Sequence, residues 1–209
     1  RKNSRNRMPI VPNVDEATEE LVYSGGDIYG KGSFFMHSLR YVVGDEIFFP
    51  TLKKNKIKTV IHLGDAFDNR KGVDYWALDW AKENVYDRFQ DLGITVYNIV
   101  GNHDAYYKNS NEINAIDTLL QQYFNVVRVS KPAEYIIEGM KTVLLPWICT
   151  DNEKETFELL DETEAKVVFG HLELNGFSVY PGHIHEEGLD KKVFQKFDRV
   201  YSGHYHTRS

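Results

Sequence analysis

Cysteine is nearly missing from this sequence. Cys149 stands alone, which excludes an internal disulfide and a thiolate-built zinc knuckle. Long apolar runs are missing too, and no stretch reaches the roughly 20 residues that a membrane helix needs. The first ten residues, RKNSRNRMPI, are basic and polar with no apolar core behind them, unlike a secretory leader. The chain opens on Arg1 rather than Met, so nothing about targeting is built on that. Positive charge is not in excess either: the formal net charge is −6, not the usual signature of a DNA-binding protein. Carboxylates that hold metal ions invert the local field, so the net sign does not exclude DNA. Internal repeats and low-complexity tracts are absent. A reducing, cytoplasmic setting with no membrane contact is the expectation.

What is present is a chain of 209 residues, long enough for one domain with a substantial core and short for two. From about residue 57 onward, short apolar runs alternate with helical patterns, the rhythm of an α/β layered fold. Lys58–Leu63 predicts a buried strand that stops at Gly64-Asp65. Asp74 then predicts the cap of a helix to about Leu92, with Leu78, Ala81, Val85, Phe89 and Leu92 on its buried face. Gly93 follows at the position that favours a left-handed residue. Further strands are predicted at Ile94–Val100, Val126–Val129, Glu134–Ile137, Thr142–Leu145, Lys166–Phe169 and Arg199–Tyr201, and helices at Ala115–Tyr123 and Glu153–Asp161. The first 50 residues differ: Pro9–Pro12 is rigid and extended, Asp15–Leu21 a short helix, and Ile28–Tyr41 a helix burying Phe34, Phe35 and Leu39.

Four predicted strands share one ending. Each closes in glycine, and the next residue or two can bind a metal: Asp65 after Gly64, Asn102 and His103 after Gly101, His171 after Gly170, and His204 and His206 after Gly203. Ligands of open α/β sheets lie beyond the carboxyl ends of the strands, so these endings should converge. The donors are carboxylate, amide oxygen and imidazole, without sulfur. That set suits Mn²⁺, Fe²⁺ or Zn²⁺ rather than a structural thiolate zinc. His204 and His206 stand two apart, which turns both rings one way in extended chain. Two ions so held would activate water, clamp phosphate oxygens and neutralise charge during in-line displacement. His103 would then stabilise or protonate the leaving oxygen, with Asp104 orienting its ring.

Each of these residues alone is a weak signal, and others read more plainly. His62 is a packed strand residue. Asp68 supports or caps the loop after Asp65. His183 and His185 are exposed loop residues, and Trp76, Trp80 and Trp147 are packing residues. Lys53, Lys54, Lys56 and Lys58 form the one tight basic cluster, read as a solvated face, with a phosphate-contacting edge as the alternative.

The series GDAFD (64–68), GNHD (101–104), GHLELNGF (170–177) and GHYH (203–206) resembles the calcineurin-like metallophosphoesterases. Among them it is most similar to the nuclease subunits of double-strand-break repair, the SbcD type of bacteria and phages. The phrases NRKG, GNHDAYYKN, LLPWI and GHLELNGF look like the recombination endonuclease subunit of phages. The resemblance runs from about Glu46 to Ser209 and implies a layered β-sandwich flanked by helices, incomplete at both ends. It implies a Mn²⁺-dependent DNA exonuclease and endonuclease with an SMC-like ATPase partner, and a homodimer is a further expectation. By its motifs Asp65 is the bridging ligand, Asn102, His171 and His204 serve one ion, His206 serves the other, and His103 is catalytic.

Two departures stand out. Such proteins open with a strand ending in Asp-x-His, and no such motif precedes residue 57. Moreover, residues 5–50 (NRMPIVPN, then YSGGDIYGKGSFFMHSLRYVVGDEIFF) resemble a segment of aminopeptidase N-type zinc peptidases, with Tyr29 matching their transition-state tyrosine. No HExxH helix accompanies it, so no peptidase chemistry is expected. Residues 1–45 are therefore read as an atypical N-terminal segment and 46–209 as a partial phosphoesterase domain. A phosphomonoesterase or nucleotide phosphodiesterase on the same ligands, or a non-catalytic fragment, are the alternatives to a DNA phosphodiesterase.

Overall fold

The computed structural model describes residues 43–180, 183–184 and 188–205. The expectations for residues 1–42, Tyr29 included, and for His185 and His206 lie outside these. The chain divides into two compact units, residues 56–175 with 187–204, and residues 1–55 with 176–186 and 205–209.

The larger unit is a sandwich of two sheets. Its first sheet is β1 (Thr59–His62), β2 (Thr95–Ile99) and β3 (Val126–Val129), all parallel in that order. The second runs β4 (Ala133–Ile137), β5 (Met140–Leu145), β6 (Val167–Gly170) and β9 (Arg199–Ser202). Here β4 and β5 form an antiparallel hairpin, while β5, β6 and β9 are parallel. The hairpin closes through Glu138 and Gly139, both at positive φ (48° and 79°), which matches the twist of the flanking strands. Ile99 and Val129 of the first sheet pack on Ile137 and Leu144 of the second, with Ile61, Tyr97 and Phe169 beside them. Burial of this kind contributes about 25 cal/mol per Å² of apolar surface. Strand β5 ends in four consecutive buried residues, Thr142 to Leu145, as expected for a strand covered on both faces.

Helices flank the sheets. Asp74 caps α2 (Tyr75–Ala81), its carboxylate accepting from the Trp76 and Ala77 N–H groups. The helix continues as a π turn (Lys82–Tyr86) and then as α3 (Asp87–Asp91), with Gly93 beyond it at φ 66°. The π turn inserts a residue into the 3.6-residue repeat. Consequently Tyr86 is buried with Phe89, and its hydroxyl donates to Asn98 Oδ1 at 3.0 Å. The front half of the helix behaves otherwise. Nothing in α2 is buried, and Trp76, expected to pack, is 72% exposed. Trp147 is buried as expected.

Helix α4 (Ala115–Leu119) is capped by Asn114, whose Oδ1 accepts from the Asp117 N–H. It is shorter than predicted because Leu120 leaves helical dihedrals (φ −113°, ψ 18°). Helix α5 (Glu153–Glu162) precedes β6. The smaller unit contains α1 (Asp45–Lys54) and the β7 (Ser178–Tyr180) and β8 (His183–Ile184) pair. Helix α1 is not among the elements expected; Pro50 in its middle lacks a donor and opposes helix. Lys53, Lys54, Lys56 and Lys58 are all exposed, as read.

Candidate active site

Register brings the glycine endings together. His62 pairs with Asn98, Leu145 with Gly170, and Gly170 with Ser202. Beyond these pairs the chain continues into Gly64, Gly101, His171 and Gly203. Main-chain bonds then join the ends: Trp147 N–H to Val100 O at 2.8 Å, His171 N–H to Leu145 O at 3.1 Å, and Gly203 N–H to Gly170 O at 3.1 Å.

Space at the junction is the reason for glycine. A Cβ on Gly64 would overlap the His171 ring, and one on Gly101 would overlap Asp65. Gly64 also holds φ 98°, and Asp65 itself sits at φ 55°. A non-glycine residue there is held against its preference, a pattern common at ligand sites.

His171 is the centre of the cluster and is fully buried. Its Nδ1 lies 2.8 Å from the Leu63 carbonyl. A carbonyl only accepts, so Nδ1 carries the proton and Nε2 presents its lone pair. Around Nε2 stand Asn102 Oδ1 at 2.9 Å, Asp65 Oδ2 at 3.2 Å and His204 Nδ1 at 3.2 Å. Two oxygen acceptors, Asp65 Oδ2 and Asn102 Oδ1, thus meet at the Nε2 face with the His204 ring beside them in either tautomer, an arrangement that suits a positive centre, a proton or a cation. Spacing near 3 Å also matches neighbouring ligands of an ion at about 2.1 Å. The residues therefore fit a divalent cation by donor chemistry, with the Asn102 amide as one donor. Among the described residues no three His, Cys, Asp or Glu side chains form such a group by themselves.

Charge follows the same geometry. Burial acts to raise the Asp65 carboxyl, yet His171 and the His103 N–H (2.8 Å to Oδ1) hold it below the usual carboxylate range. Burial acts to lower His171, and the Asp65 carboxylate outweighs it, so the ring is raised above ordinary histidine. His62, in β1, is pushed down to about 4 by burial; its Nδ1 is buried without a hydrogen-bond partner, the packed residue expected.

Asp104 has a different task from the one expected. Its buried carboxylate accepts from the main-chain N–H groups of Gly101 (2.9 Å), Phe67 (3.0 Å) and Ala66 (3.3 Å). It therefore ties the loop after β2 to the loop after β1. The His103 ring is met instead by the Asp68 carbonyl, 2.9 Å from Nδ1. Orientation of that ring comes from the Asp65–Asp68 loop backbone. Burial pushes Asp104 up to about 6 against the pull of its N–H donors.

Glu173 was not singled out from sequence. Its Oε1 accepts from Trp147 Nε1 at 3.0 Å and lies 3.8 Å from His204 Nε2. Arg70 sits over the Trp147 ring, 4.8 Å from its centroid. The only signal available was spacing: Glu173 stands two after His171 in extended chain, hence on the same side.

A calcineurin-like phosphoesterase family model matches residues 16–208. The chain belongs to the calcineurin-like phosphoesterases, a family that hydrolyses phosphate esters. It is 40% identical over 157 residues to exonuclease subunit 1 of Enterobacteria phage T4, a match covering 75% of this chain and 46% of that protein. The chain thus spans about half the length of that relative. Two solved structures are also similar. One is the protein AQ665 of unknown function from Aquifex aeolicus (16% identity, 78% of this chain and 80% of that one, TM-score 0.37). The other is a hypothetical protein from Thermus thermophilus (19%, 63% and 50%, TM-score 0.32). No helix among the described residues is long and apolar enough to cross a membrane.

Proposed function

We propose that this chain is a metal-dependent DNA phosphodiesterase of nuclease type, serving double-strand-break repair or phage recombination. The observation that carries the reading is the crowding of Asp65, Asn102 and His204 around His171 Nε2, in a chain that resembles a phage exonuclease subunit. Asp65, Asn102, His171 and His204 would hold one cation, Mn²⁺ by preference, with Fe²⁺ or Zn²⁺ suited to the same donors. Asp65 and His206 would serve a second. When bound, such ions acidify water and neutralise charge on the phosphate.

The chain's own residues supply the rest. The Asp68 carbonyl fixes the His103 ring. When that ring is protonated, Nδ1–H stays on the carbonyl; as water bonds to phosphorus and gives up a proton to solvent, the bond to the leaving ester oxygen breaks and that oxygen takes the Nε2 proton. Asp104 keeps the two loops in register, and Glu173, held by the Trp147 indole, positions His204. An SMC-like ATPase is the proposed protein partner, with a homodimer as the assembly and the cytoplasm of a bacterial or phage-infected cell as the setting. We assign this function to residues 46–209.

The test is Mn²⁺-dependent cleavage of linear double-stranded DNA and of bis-p-nitrophenyl phosphate, beside His103→Ala. Cleavage of both substrates is expected, with His103→Ala slower by about 10²–10⁴-fold and metal binding retained. Activity that survives His103→Ala unchanged would sink this mechanism. Binding of one ion per chain with no hydrolysis would favour a non-catalytic fragment.

A further inference from the structure

The loop after His103 combines a fixed backbone with aromatic side chains left outside. Ala105, Ser110, Asn111 and Asn114 of this loop are buried. Its main chain is held on several sides. Tyr106 N–H donates to Ile113 O at 2.9 Å, and Arg70 Nη1 donates to the Ala105 and Tyr107 carbonyls, both at 3.2 Å. Arg70 is itself placed by the Trp147 ring. Despite this anchoring, Tyr106 and Tyr107 are 41% and 47% exposed. The two rings pack edge to face, 4.9 Å apart at 84°. The exposed part of each ring is open to a ligand, and the rigidity of the loop keeps the ordering cost of binding low.

Position says which ligand. Tyr106 follows His103 by three residues, so its Cα lies within about 11 Å of the Cα of His103. That is a span of one to two nucleotides along a strand whose phosphate is at the cluster. We infer that Tyr106 and Tyr107 are a stacking platform for an unpaired nucleobase next to the scissile phosphate. The inference rests on the DNA reading above and adds to it: the substrate end is single-stranded or frayed where it meets the site. Stacking needs only a π-face, so the platform selects for the presence of a base rather than for its identity.

The test is fluorescence anisotropy with the full chain in Ca²⁺, using two labelled oligonucleotides of equal length, one base-bearing and single-stranded, one abasic. The chain should bind the base-bearing strand about 5- to 100-fold more tightly. Tyr106→Ala/Tyr107→Ala should lose that preference with abasic affinity unchanged, and Tyr106→Phe/Tyr107→Phe should keep it. Equal affinity of the unsubstituted chain for both strands would overturn the platform and leave the DNA reading standing. Binding of neither strand would remove the DNA reading and the platform together. Equal losses on both strands in the alanine variant would also overturn the platform, since they would mean a general change of the loop.

Discussion

Two loops face each other at the strand ends, one after β1 with Asp65 and one after β2 with Asp104, and their carboxylates are treated in opposite ways. Asp65 is partly open, shares its oxygens with His171 and the His103 N–H, and is held ionised. Asp104 is closed in, takes three main-chain donors and is pushed up to about 6. The same residue type thus stands among the proposed ligands in one loop and ties the backbone together in the other. What separates them is the partners supplied by the fold, not local sequence: GDAFD and GNHD read alike as ligand motifs.

The contrast can be broken most severely at Asp65. Asp65→Asn should weaken Mn²⁺ binding, followed by titration calorimetry, by more than about 100-fold, since loss of a mere supporting contact costs 10–100-fold. Hydrolysis should fall with it. Asp104→Ala is the mirror image. It leaves buried N–H groups unpaired at about 1–3 kcal/mol each, so the urea midpoint should drop sharply. If Asp104→Ala instead spared stability and abolished only ion binding, the division of labour between the two loops would be wrong. A smaller effect is expected from Glu173→Gln, which should lower ion affinity by about 10- to 100-fold with the fold intact; an unchanged affinity would remove Glu173 from the site.

The smallest effect is in pH dependence. Asp104 has a raised pKa in the folded chain, so between about pH 4 and 6 the folded state keeps a proton that the unfolded state releases. Stability of the metal-free chain should therefore fall as pH rises through that window. Asp104→Asn should flatten this slope. A slope of the same size in the variant would assign it to other groups.

Much of the fold was legible because strands such as Thr142–Leu145 and Val126–Val129 are apolar runs with punctuated ends. The convergence of donors followed from those ends, as parallel strands present their carboxyl termini on one side. Other features depended on what no single segment states. The apolar spacing of Tyr75–Ala81 looks like a buried face, but burial requires a neighbour, and this half of the helix has none of its residues buried. Helix α1 carries Pro50 in its middle, where the missing N–H opposes helix. Asp104 and Glu173 owe their tasks to residues far away in the chain, Ala66 and Phe67 for one and Trp147 and His204 for the other.

The π turn at Lys82–Tyr86 sets an angle as well as a register. Removing one residue from it would restore an α-helix, and the segment before it would swing by about 100° around the axis and move by about 1.5 Å along it. Tyr75 and Trp76 would then point in a new direction while Phe89 kept its place. A one-residue deletion here is a means of aiming that aromatic face without altering a single aromatic residue.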